Sequence, residues 1–229
     1  MPPLRARLLL AAAALPVVAG CGSPGTPSGS TGPRSSVSPS PLPAATPSTC
    51  ARKVAPASPS FAFVPPRGNA PADAPLGQGM TTFSVVSPGI LARGGTPLDS
   101  GFTWLKQRGW RSVVDVRTTD DNTYAGFVAD HFQYLWLSVD SGLGPTPDQA
   151  RSFLCFVVNP ANQPVYVHDN SGDERVDTFV ALYRYAVQGW PMDVAVREEK
   201  LYGDTKSITL EQQTFLQAWA NQYPPGTIP

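Results

Sequence analysis

The chain has 229 residues, with 17 Lys and Arg against 17 Asp and Glu, 26 Pro, 20 Gly and three Cys. The formal balance of zero hides an asymmetry, because from Gly77 onward eleven basic side chains face sixteen acidic ones, a net charge of −5. An acidic folded part argues against nucleic acid or an anionic surface as the default partner, and about 150 residues is the length of one domain.

At the N-terminus, Arg5 and Arg7 precede an apolar run from Leu8 to Val18, and Ala19-Gly20 leads into Cys21. That is the pattern of a secretory signal over residues 1–20, shorter than the ~20 apolar residues a spanning helix needs. Small residues before a cysteine resemble a bacterial lipobox. The resemblance implies cleavage after Gly20 and acylation of Cys21. The protein would then be a lipoprotein held on the lipid bilayer of the cell envelope, facing the periplasm or the exterior, anchored rather than spanning. Residues 21–76 are dominated by Ser, Pro, Thr, Gly and Ala, with no aromatic residue before Phe61, and read as a disordered, semi-extended tether. The folded domain is then 77–229. Cys50 and Cys155 remain after lipidation; they can pair in an oxidising compartment, or Cys155 can stay a buried free thiol in its apolar helical run. The sequence leaves both open.

Within the domain, Thr81 to Ser87 reads as a strand and Gly89 to Gly95 as a second strand or turn bearing Arg93. Thr96-Pro97 is a good helix start, with Thr96 as cap and Pro97 in the first helical position, and the helix runs to about Arg108 before Gly109. Ser112 to Arg117 has the β-branched composition of a buried strand. A helix from Asp120 to about His131, a strand from Gln133 to Val139 and a loop with Asp140, Gly142 and Gly144 follow. Thr146-Pro147 opens a helix that ends at Asn159-Pro160. Pro164 to His168 is the next strand, Asp169 to Glu174 a polar loop, and Arg175 opens a helix toward Gly189. Two helices close the chain, Asp193 to Tyr202 and Leu210 to Tyr223. The alternation predicts an α/β fold, a central mostly parallel sheet flanked by helices, with the site beyond the carboxyl ends of the strands. Trp136, Trp190 and Trp219 are expected in the core. No Walker loop, dinucleotide fingerprint, zinc spacing or GxSxG is present, so no cofactor or metal is implied.

The loop after His168 carries the chemistry. His168-Asp169-Asn170-Ser171-Gly172-Asp173-Glu174-Arg175 resembles HCxxGxxR, the phosphate loop of the cysteine-dependent tyrosine and dual-specificity phosphatases, at every fixed position but the second. It follows an apolar strand and precedes a helix, where backbone N–H groups and the helix N-terminus cradle an anion. The resemblance extends over residues 81–203, through Arg93-Gly94-Gly95-Thr96-Pro97, Val113-Val114-Asp115-Val116-Arg117, Ala181-Leu182-Tyr183-Arg184 and Gln188-Gly189-Trp190. It implies a tyrosine/dual-specificity phosphatase-like fold. It also implies that His168 to Arg175 form the anion loop, that Arg175 grips the anion, and that Asp140 is the general acid, with Asp148 as rival. Asp169 then stands where the cysteine nucleophile belongs, and Val176 where a hydroxyl follows the arginine.

A carboxylate can accept a phosphoryl group, but enzymes that use one recruit a divalent metal. The expectation is that the Asp169 carboxylate fills the anion cradle, held by loop N–H groups and Arg175. Asp115 and Arg117 are expected to be structural. Arg93 either binds ligand or pairs with an acid, and no function falls to His131. Two functions follow. One is a pseudophosphatase acting as a binding module for an envelope protein or a phosphorylated ligand; the other is a phosphatase or other ester hydrolase using Asp169 as nucleophile or general base.

Overall fold

The computed structural model describes residues 50–55, 70–119, 122–200 and 207–229. The signal segment 1–20, Cys21 and most of the expected tether lie outside the described residues, as does the expected helix end at Tyr202.

Among the described residues, seven strands and six α-helices follow in chain order: β1 Arg52–Lys53, β2 Phe83–Ser87, β3 Leu91–Gly95, α1 Asp99–Gln107, β4 Ser112–Asp115, α2 Asn122–His131, β5 Gln133–Trp136, α3 Pro147–Val158, β6 Val165–Asp169, α4 Glu174–Ala186, α5 Met192–Glu199, α6 Leu210–Gln222 and β7 Thr227–Ile228. The main sheet has the order β2-β3-β6-β4-β5. Only the β2–β3 pair is antiparallel; β3–β6, β6–β4 and β4–β5 are parallel. The expected central, mostly parallel sheet flanked by helices is therefore present.

Strand side chains alternate between faces, and here each face meets its own helices. Val114, Val165 and Val167 pack with α3, α4 and α6 through Phe153, Leu154, Phe179 and Leu216. Val113 and Tyr166 face the other way, onto Phe102, Leu105 and Val128 of α1 and α2. These strand valines are fully buried, each stabilising the fold by roughly 1.5–3 kcal/mol relative to exposure. Helix α4 is buried along its whole length, so the helix that leaves the phosphate-like loop is a fixed strut.

Element boundaries match the sequence reading to within a few residues, and two side chains depart from it. Thr96 does not cap α1: the helix starts at Asp99, with Leu98 as a cap that offers no side-chain bond. The Thr96 hydroxyl donates instead to the backbone carbonyl of Asp169 at 2.8 Å. Trp136 is a second departure. It is 41% exposed rather than core, because it sits at the end of edge strand β5 and its indole N–H reaches the Arg117 carbonyl (2.7 Å).

Two pieces of the expected tether lie on the domain. Cys50 forms a disulfide with Cys155 of α3, and β1 pairs antiparallel with β7. The Val54 N–H donates to Gly226 O (2.7 Å). Further on, Asp73 pairs with Arg108 and accepts from the Trp104 indole at 3.1 Å. Among the described residues no helix is long and apolar enough to cross a membrane.

The disulfide closes a loop with a sequence separation of 105, a length for which the chain-entropy model gives about 4–5 kcal/mol. Reduction, or Cys50→Ser, is expected to lower the melting temperature clearly while leaving the sheet folded. An unchanged melting curve with and without reductant would contradict this.

Candidate functional site

The parallel strands end on one edge, at Gly95, Asp115, Trp136 and Asp169. There β6 turns through Asn170 to Asp173 into α4. The turn needs glycine at Gly172, whose φ is +86° and whose added Cβ would run into the Thr82 hydroxyl and the Gly94–Gly95 backbone. Side-chain-bearing residues rarely adopt that φ. Gly95 is constrained by space alone, since a Cβ there would meet Thr81 Oγ1 and the Asn170 carbonyl.

Asp169 occupies the inside of this turn. Its Oδ1 accepts the backbone N–H groups of Ser171 (3.0 Å) and Gly172 (2.6 Å). Its Oδ2 lies 3.7 Å from Arg175 Nε, and Arg175 Nη1 donates to the Val139 carbonyl at 3.2 Å. All eight residues from His168 to Arg175 thus lie in one strand–turn–helix segment, with Asn170 at its exposed tip. Its other acids are bound internally. Asp173 accepts from the Ser171 hydroxyl. Glu174 accepts from the Gly142 N–H, the Ser141 hydroxyl (3.0 Å to Oε2) and Gln212 Nε2 (3.4 Å).

Burial pushes the Asp169 carboxyl upward, opposed by the Gly172 N–H and Arg175. His168, also buried, is pushed down to about 4 by desolvation, so its imidazole is neutral near pH 7. Its Nδ1 lies 3.2 Å from the Asp169 carbonyl and its Nε2 lies 2.7 Å from the Tyr124 hydroxyl. A carbonyl can only accept, so Nδ1 carries the proton and Nε2 accepts from Tyr124. Burial raises the Tyr124 pKa, which keeps that hydroxyl a donor.

The other expected residues separate clearly. Asp140 is exposed on the loop after β5, next to the Val139 carbonyl that Arg175 holds. Asp148, its rival, lies on the surface of α3, paired with Arg151 at 3.1 Å. Asp115 and Arg117 form a buried forked pair (Nη2 to Oδ2 2.6 Å), with the guanidinium 4.4 Å from the Tyr124 ring centroid. Arg93 pairs with Asp177 and Glu199 in the interior, and it also donates to the Gly172 carbonyl at 2.8 Å. His131 is exposed, its Nδ1 on Phe127 O. Among the described residues no group of three or more His, Cys, Asp or Glu could hold a metal ion.

Sequence reasoning did not find the loop's supports: Thr82, Thr96, Tyr124 and the Thr209/Gln212 pair. The last had a local signal, a Thr-x-x-Gln capping box, which the structure forms at the start of α6. Thr209 also donates to Gly142 O (2.7 Å), so α6 braces the loop that carries Asp140.

The fold is that of the cysteine-dependent tyrosine and dual-specificity phosphatases. Superposition on the core catalytic domain of the S. cerevisiae PP-IP phosphatase SIW14 gives a TM-score of 0.51 at 22% identity, covering 61% of this chain and 91% of that one. For Tk-PTP in the active form the TM-score is 0.53 at 18% identity, covering 62% and 97%. At the sequence level, a model of the family described as DSP-PTPase phosphatase fused to NAD+ kinase matches residues 82–218. The chain belongs to that family.

Among relatives, it is 25% identical over 115 residues to the chloroplastic NAD kinase 2 of Arabidopsis thaliana, covering 47% of this chain and 12% of that protein. The corresponding match to a rice protein covers 13% of its length, so the matched stretch is a small part of the plant kinases. The tyrosine-protein phosphatase-like protein OCA2 of Saccharomyces cerevisiae is 26% identical over 141 residues, 58% of this chain and 72% of its own length.

The depressed His168 pKa makes a stability prediction. The unfolded imidazole takes its proton near the ordinary value of 6.5, the folded one only near 4, so acidification through that window favours unfolding by up to ~3 kcal/mol from this group. Urea melts at pH 7 and pH 4 should show a smaller loss for His168→Gln than for wild type. Equal losses would contradict the assignment.

Proposed function

We propose that the chain is an envelope lipoprotein whose phosphatase-like domain is a pseudophosphatase, a binding module that does not turn over phosphate esters. The observation that carries this reading is the bonding of Asp169. Both N–H groups that face the inside of the turn at Ser171 and Gly172 are engaged by its carboxylate, with Arg175 beside it. In the resembled enzymes the position after the loop histidine holds the thiolate that attacks phosphorus. Here a carboxylate stands there, and Val176 offers no hydroxyl to assist a leaving group.

An entering phosphate would meet a negative charge in the centre of its cradle. Like charges a few ångströms apart repel by about 1–4 kcal/mol at realistic dielectric constants. A carboxylate nucleophile ordinarily relies on a metal to relieve that repulsion. Internal carboxylate bonding also stabilises the turn without a ligand. A protein partner at the cell envelope therefore fits the loop-bearing edge better than a phosphorylated small molecule. The membrane anchor rests on the pattern from Arg5 to Cys21, and the tether that follows gives reach.

Hydrolysis of a small aryl phosphate by the full-length chain, with and without Mg²⁺, tests the reading. Wild type and Asp169→Ala are expected to be inactive, and Asp169→Cys to gain measurable turnover. Wild-type turnover abolished by Asp169→Ala would establish instead an enzyme working through Asp169, with Asp140 as the acid to examine next.

A further inference from the structure

The four carbonyls of the turn are each tied from outside. The Asp169 carbonyl accepts from Thr96 Oγ1 (2.8 Å) and the Asn170 carbonyl from the Thr96 backbone N–H (3.3 Å). The Ser171 carbonyl accepts from Thr82 Oγ1 (2.8 Å), with Thr81 Oγ1 at 3.4 Å, and the Gly172 carbonyl from Arg93 Nη2 (2.8 Å). Apart from His168 Nδ1, which also reaches the Asp169 carbonyl (3.2 Å), these donors belong to β2, β3 or their immediate flanks. In a trans peptide the C=O and N–H point in opposite directions. Tying the carbonyls of residues 169 to 172 toward these elements therefore turns the N–H groups of residues 170 to 173 the opposite way. Two of those four N–H groups are seen pointing inward, onto Asp169 Oδ1.

We infer that Thr82, Thr96 and Arg93 are positioning residues that hold the turn's N–H groups inward from behind, so that the anion cradle is built by the β2–β3 corner rather than by the anion inside it. The inference rests on the reading of Asp169 as resident anion only for the identity of the acceptor. Gly94 and Gly95 make the corner possible. A Cβ on either would strike the groups that must approach: the Thr82 carbonyl and the Tyr166 hydroxyl at Gly94, and Thr81 Oγ1 at Gly95. Arg93 is itself fixed between Asp177 and Glu199, so the tie to Gly172 is anchored in α4 and α5. Thr82 is half-buried and its hydroxyl has a single assigned role, which makes it the residue to change.

The test compares wild type with Thr82→Val, Thr82→Ser and Thr96→Val in the full-length chain by NMR. The two readouts are the titration of the Asp169 carboxyl and the hydrogen exchange of the Ser171 and Gly172 amides. Losing an N–H donor disfavours a carboxylate, and an untied peptide exchanges faster. Thr82→Val should move the Asp169 titration to higher pH and speed exchange at Gly172 by about tenfold. Thr82→Ser, which keeps the hydroxyl, should restore both, and Thr96→Val, which unties only the peptide ahead of the Asn170 N–H and keeps the Thr96 backbone tie to the Asn170 carbonyl, should leave the Asp169 titration and Gly172 exchange unchanged. The charged and titratable groups facing Asp169, namely Arg175, Asp173, Asp177 and Tyr166, are unchanged in all three variants, so the shift reports the N–H groups. Faster exchange at Gly172 with an unmoved Asp169 titration would support the ties but remove Asp169 as the acceptor, and with it the pseudophosphatase reading. A folded Thr82→Val protein with unchanged exchange and unchanged titration would overturn the inference.

Discussion

One carboxylate satisfies the turn on which the active edge of this fold depends. A strand-to-helix turn that aims several N–H groups into one small space concentrates unpaired donors beside a helix N-terminus. Such an arrangement needs an anion, because buried donors without partners cost about 1–3 kcal/mol each. Asp169 supplies that anion from within the chain, through two backbone bonds to Oδ1 and the nearby Arg175 guanidinium. Two of the turn's N–H groups are therefore satisfied without a ligand.

The rest of the structure is arranged around keeping that turn rigid. The Gly94-Gly95 pair lets β3 lie against the loop, and Gly172 supplies the conformation that brings the loop to it. Beneath, Arg93 links the Gly172 carbonyl to α4 and α5 through Asp177 and Glu199. Burial pushes both of those carboxyls upward, with the shared guanidinium opposing it. Breaking such a buried arrangement from one side is strongly destabilising. On the other flank, Glu174 binds Ser141, Gly142 and Gln212, and Thr209 holds the Gly142 carbonyl. Acids that would repel a phosphate thus act as fasteners between the loop, the segment carrying Asp140 and α6.

Much of this was legible in the sequence because it depends on local pattern. The β-branched run at Val113-Val114, the helix signals at Thr146-Pro147 and the glycine at Gly172 each have a short-range physical cause, and the loop's spacing showed which groups would converge. What stayed hidden depends on contacts between distant residues. Thr96 looks like a helix cap because Thr-Pro usually is one. Only the packing of β3 against β6 shows that its hydroxyl goes to Asp169 instead. Arg93 could be read as a ligand group or an ion-pair partner, since its acids are 84 and 106 residues away. The Cys50–Cys155 pairing was equally open, because two cysteines carry no geometry until the fold sets their separation, a Cα–Cα distance of 5.1 Å.

If Asp169 is the resident anion of the turn, it competes with external anions for the same N–H groups. Titrating sulfate or inorganic phosphate into the full-length wild type and its Asp169→Ala variant at neutral pH, by calorimetry, addresses it most directly. The variant should bind the oxyanion measurably more tightly, because the cradle is emptied and its central negative charge removed. Unchanged or weaker affinity in a folded Asp169→Ala protein would contradict it.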